Sequence, residues 1–183
     1  MEIMDEIAPA VTVEDFLAAT HMPEGDAADR FAIEMALSAA EAMVTTATGR
    51  PLSERLCRFE LPAGWATWSV PVLPVSSVEM VEAQNILGAW VELGAVAVLR
   101  DAYSAPVVEL VPVTASRLRI TVKAGYAENP LPQLRQAVIL LAKEWFEAGI
   151  AVEDQGKLEL SFGALRLIKQ VRYRPAAQFG WVG

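Results

Sequence analysis

The hydrophobic period of this chain changes twice, and those changes limit the folds open to it. Between Asp26 and Gly49 apolar residues recur at roughly the 3.6-residue spacing of a helix. From Arg55 to Ala124 they alternate, as in half-buried strands: Cys57, Phe59 and Leu61 with Arg58 and Glu60, then Leu118, Ile120 and Val122 with Arg117, Arg119, Thr121 and Lys123. The helical period returns from Pro132 to about Gly149. Helical segments on either side of a run of strands predict an α+β fold with the strands inserted between helices.

Local signals sharpen each segment. Thr12 with Asp15 three residues on predicts a capping box and a short helix ending near Thr20. Asp26 is placed to cap an alanine-rich helix whose apolar stripe is read as Phe31, Ile33, Leu37, Ala40 and Val44, closed by Gly49 and Pro51. Pro132 suits the first turn of a long helix with Leu134, Val138, Leu141, Ala142 and Trp145 on one stripe, widened by Ile139 and Phe146.

Shorter β-leaning runs, Trp68–Leu73, Val75–Ala83, Ala89–Leu93, Val96–Arg100 and Val107–Val113, are separated by turns at 62–64, 87–88 and 103–106. Five to seven short strands in this stretch predict a small antiparallel sandwich or open barrel. The organisation expected is a flexible leader (1–11), a helical part (12–52), an inserted β module (53–125), a long helix completing the core (126–150) and an extended C-terminal arm (151–183). Within the arm, Lys157–Phe162 reads as a strand or hairpin and Leu165, Ile168 and Val171 as a short amphipathic turn.

Charge is unevenly divided. Residues 1–60 hold twelve acids and four bases, which accounts for the whole net charge of −8, and the remainder is neutral. The last 23 residues carry Arg166, Lys169, Arg172 and Arg174 and no acid. An acidic front and a basic tail suit either solvated faces or docking of the tail on an acidic surface, another copy or a partner. A pI near 4.7 argues against a phosphate-binding surface over the whole fold.

The chain of 183 residues has one cysteine, Cys57, and one histidine, His21, so no disulfide framework and no His-rich metal site is expected. No apolar run approaches the ~20 residues of a membrane span, and MEIMDEIAPA lacks the basic and apolar regions of a secretory signal. The expectation is a soluble intracellular domain. Neither a nucleophile elbow nor a glycine-rich phosphate loop occurs, and no Ser-His or Cys-His constellation is available. Glu34 with Glu41 and Glu144 with Glu147 share helix faces but read as solvated acids; catalytic, cofactor and metal sites are all expected to be absent. Trp65, Trp68 and Trp90 leave open a second reading, a monomeric small-ligand or carbohydrate-binding β module with an aromatic wall.

Several stretches taken in order carry a resemblance: TVEDFLAAT, TATGRPL, PVLPVSSVEMVEA, VKAGYAENPLPQLRQAVILLAKEWFEA and FGALRLIKQVRYR, covering about residues 12–174. Their order and spacing resemble the head–tail connector (adaptor, neck) proteins of long-tailed bacteriophages and gene transfer agents. The resemblance implies a non-enzymatic virion protein at the head–tail interface, assembled in the host cytoplasm. It implies a ring, commonly of twelve copies, under the portal protein, contacting neighbouring copies and a downstream neck, stopper or tail protein. DNA would pass along its channel without sequence-specific binding, and no membrane is involved. The family's C-terminal arm reaches the portal; here it would be Leu165–Gly183, with Arg166, Lys169, Arg172, Tyr173, Arg174, Phe179 and Trp181 as partner-binding residues.

Overall fold

A computed structural model describes residues 1–4, 9–94, 96–149 and 161–175 of the chain. It is α+β, as the two changes of period predict, and it divides into a β unit centred on Glu54–Tyr126 and a helical unit built from the segments before and after it.

The β unit holds two antiparallel sheets. One has the order β1 (Glu2–Ile3), β2 (Arg55–Pro62), β8 (Arg117–Ala124), β4 (Val75–Gln84), β5 (Trp90–Leu93). The other is β3 (Thr67–Ser69), β7 (Val107–Leu110), β6 (Ala97–Arg100). Alternation decides which side of each strand is dry. Cys57, Phe59 and Leu61 of β2 and Leu118, Ile120 and Val122 of β8 point inward, where they form one core with Trp68 of β3 and Val108 and Leu110 of β7. Phe59 and Trp68 join the sheets by a tilted ring contact at 5.2 Å. Each such apolar side chain buried contributes roughly 1.5–3 kcal/mol.

β4 carries two register shifts against β8, between Val75 and Ser77 and between Val78 and Met80, the extra residues of β-bulges. The run expected over Trp68–Leu73 is a strand only as far as Ser69. Pro71 and Pro74 cannot donate to a ladder, yet Val70, Val72 and Leu73 are still buried. Part of the expected leader is held: Glu2 and Ile3 pair with Arg58 and Cys57 as a two-residue strand too short to show any period.

The helical unit contains α1 (Val13–Thr20), α2 (Ala27–Thr48), α3 (Pro132–Glu147) and α4 (Phe162–Val171). The caps are those the sequence predicts. Thr12 and Asp15 form the capping box of α1, Asp26 accepts from the amides of Ala28 and Asp29, and Gly49 closes α2 at φ 66°. Val11, Phe16, Leu37, Ala40, Val44, Leu134, Val138, Leu141, Ala142 and Trp145 are buried. Asp15 also receives the guanidinium of Arg135 at 2.9 Å, which fastens α1 to α3.

Three readings change here. Phe31 does not belong to the buried stripe of α2: it lies two residues from Ile33, about 200° around the helix at 100° per residue, and is 64% exposed. Glu41 is not a solvated acid; it is buried and accepts the amide of Ala10 at 3.0 Å. The amphipathic turn at Leu165, Ile168 and Val171 is a ten-residue helix, α4, because Ser161 caps it. Residues 157–160 of the expected strand or hairpin lie outside the described residues.

Candidate functional site

α4 and the segment after it carry most of the residues singled out for partner binding. The Ser161 hydroxyl accepts the Ala164 amide at 3.3 Å, satisfying one orphan donor of the first turn. Ala164 and Ile168 are buried in the helical unit. Arg50 closes the other end: its Nε donates to the carbonyl of Val171 at 2.7 Å, a cation at the negative pole of the helix. With that face buried, Phe162, Arg166 and Lys169, spaced four and three apart, share the opposite, solvent-facing stripe. Phe162 is 81% exposed.

Arg172 ends α4 in an extended conformation, and the chain runs on without secondary structure through Tyr173 and Arg174. Among the described residues, no carboxylate pairs with Arg166, Lys169, Arg172 or Arg174. The structure thus brings Arg166 and Lys169 together on one face with Arg172 at its end; Phe179 and Trp181 lie outside the described residues.

Sequence reasoning missed three exposed apolar features. Phe162 was assigned to a strand end. Phe31 and Met35, one turn apart on α2, are 64% and 58% exposed. The tip of the β4–β5 hairpin presents Ile86 and Leu87, 102% and 87% exposed. That tip is braced: the Asn85 side-chain oxygen accepts the amides of Leu87 and Ala89, both at 2.9 Å, and Gly88 turns the chain at φ 83°. Beside it lies an open cavity of about 650 Å³ lined by Gln84, Asn85, Ile86, Gly88, Thr114, Ala115 and Ser116. An isolated exposed leucine is ordinary; a braced loop pointing an isoleucine and a leucine into solvent is the kind of feature that marks a contact.

The outward face of the five-stranded sheet is charged and internally paired. Glu60 meets Arg119 at 2.7 Å and Arg117 at 3.0 Å, and Arg119 lies 4.0 Å over the Trp90 ring. Glu54 meets Lys123 at 2.7 Å and accepts the Ser76 hydroxyl. The hydrogen bond from Arg119 holds the Glu60 carboxyl below its ordinary range, and those from Lys123 and Ser76 do the same for Glu54. The bond to Glu54 pushes Lys123 up.

The tryptophans do not make a common wall: Trp68 is in the core, and Trp90 is engaged by Arg119 on the outward face. Among the described residues, no three His, Cys, Asp or Glu side chains are grouped to hold a metal, and no helix is long and apolar enough to cross a membrane.

No protein-family model and no curated protein matches the chain. Solved structures do. A chain in the neck of an empty GTA particle, computed with C6 symmetry, is 26% identical with a TM-score of 0.73 over 98% of both chains. A chain in the virion of a native gene transfer agent particle is 26% identical with a TM-score of 0.73, over 98% of this chain and 97% of that one. A chain in the neck of a native GTA particle, computed with C12 symmetry, is 27% identical with a TM-score of 0.69 over 98% of both. These likenesses bear out the resemblance to neck proteins read from the sequence.

Proposed function

We propose that this chain, a neck-type structural protein of a virion, is the adaptor between head and tail. The observation that carries the reading is the fold match to chains of gene transfer agent necks and virion over nearly the whole of both partners. Copies form a ring of twelve beneath the portal protein, extend the DNA channel and provide the platform for the next neck, stopper or tail protein. The channel passes DNA without reading its sequence. The chain acts by binding rather than by turnover.

The partner-binding arm runs from α4 outward. Arg166, Lys169, Arg172 and Arg174 supply charge, and Tyr173, Phe179 and Trp181 supply apolar anchors of the type that dominates protein interfaces. Twelvefold repetition makes a weak single contact sufficient, because each further arm binds at high effective concentration.

Removing the protein from a particle-producing host tests the reading. The expected result is filled heads and free tails that do not join. Normally tailed particles in its absence would contradict the adaptor role. Truncation after Val171 tests the arm separately: heads and tails fail to join although the shortened chain is folded, and normal joining would show that residues 172–183 are dispensable.

A further inference from the structure

Resting on the ring reading, we infer that neighbouring copies meet through the outward stripe of α4 on one copy and the outward stripe of α2 on the next, so that within the arm Arg166 and Lys169 take the neighbouring copy as their partner and the residues beyond Val171 are left for the portal. A closed ring needs a heterologous contact, in which two different patches of the same chain are complementary. The helical unit carries two such patches.

The first is on α2, where Phe31 and Met35 stand about 150° and about 170° from the centre of the face that carries Ile33, Leu37, Ala40 and Val44. Toward the carboxyl end the same stripe narrows to Ser38, Ala42 and Thr46, which allow a facing helix to approach closely. The second is Phe162, Arg166 and Lys169 on α4. Both present large apolar side chains to solvent, at 58% exposure or more. An apolar surface of this kind on a folded chain marks a contact.

Their charges are opposite. Glu34, three residues on from Phe31, flanks the α2 patch as an exposed acid, while Arg30 is taken up by Glu14 at 2.6 Å and Glu24 at 3.3 Å. Arg166 and Lys169 have no acid beside them in 161–175. The patches do not cover one another within a copy. Arg50 ties the end of α4 to the end of α2, and Phe31 lies about 25 Å further along that helix from Thr48, at 1.5 Å per residue. Each copy therefore offers one patch of each sign, and complementary potentials fix which meets which.

A cysteine pair tests this in the full-length chain. Met35→Cys and Phe162→Cys replace exposed residues, and Cys57 is buried and stays out of the reaction. Treated with a bismaleimide under conditions where the wild-type chain gives a ring by native mass spectrometry, with portal added if required, the double variant is expected to give a ladder of covalent multimers. Each single variant is expected to give none. A charge swap gives a second readout. Glu34→Lys or Lys169→Glu alone raises the concentration for half-assembly about tenfold, and the two together restore it.

A wild-type ring with no ladder and no response to the swap overturns this interface and leaves the ring reading intact. Dimers from Met35→Cys alone overturn it in favour of a two-fold contact. A wild-type chain that never forms a ring, with or without portal, overturns the ring reading itself and this interface with it.

Discussion

Glu60 shows how single residues hold the outward face of the large sheet. It sits across the strand from Arg119 and beside Arg117, and its carboxyl is held below the ordinary range chiefly by the Arg119 hydrogen bond. Glu54 behaves alike against Lys123 and Ser76, and Glu14 against Arg30. These carboxyls bind fewer protons folded than unfolded, so the stability they contribute is present above the unfolded carboxylate range near 4.5 and is lost as pH falls through their lower folded values. Thermal melts between pH 7 and pH 3 are expected to show a falling Tm with acid, and Glu60→Gln to flatten that fall. A Tm independent of pH would remove the pairs from any role in stability. Core residues act on a larger scale: Leu134→Ala, at a fully buried site of α3, is expected to cost about 2–5 kcal/mol in denaturant unfolding.

At the scale of elements, α4 depends on two fastenings, the Ser161 cap and the Arg50 bond to Val171. Ser161→Ala is expected to cost about 1 kcal/mol and to speed amide exchange in α4 before it does so in α2. Equal speeding in both helices would show that α4 does not open by itself. The hairpin tip is the opposite case: Ile86→Ser with Leu87→Ser removes apolar groups that face solvent and is expected to change unfolding by no more than about 0.5 kcal/mol.

Elements also show what was legible in the sequence. α2 and α3 were, because caps, prolines and a sustained period agree; β2 and β8 were, because they alternate between a dry face and a charged one. β1 was not, since two residues have no period and their pairing with β2 is a tertiary event. α4 is legible only as a short amphipathic turn, because its cap, Ser161, falls within the run Lys157–Phe162 that reads as a strand or hairpin. The arm's bases were visible as composition. Their sharing a stripe with Phe162 required the helix, and the exposure of Phe31 and Met35 required knowing which arc of α2 its neighbours bury.

For the whole molecule, the division into a β unit inserted into a helical unit is shared, over nearly its full length, with chains that stand in the necks of gene transfer agents. Exposed apolar patches, an acidic front and a basic end are costly on a chain that stays alone and useful on one that meets its own copies. Native mass spectrometry of the purified chain, alone and then with the portal protein, tests the adaptor account most directly. The account predicts a ring-sized mass, alone or on addition of portal. A monomer that ignores portal at every concentration tested would contradict it.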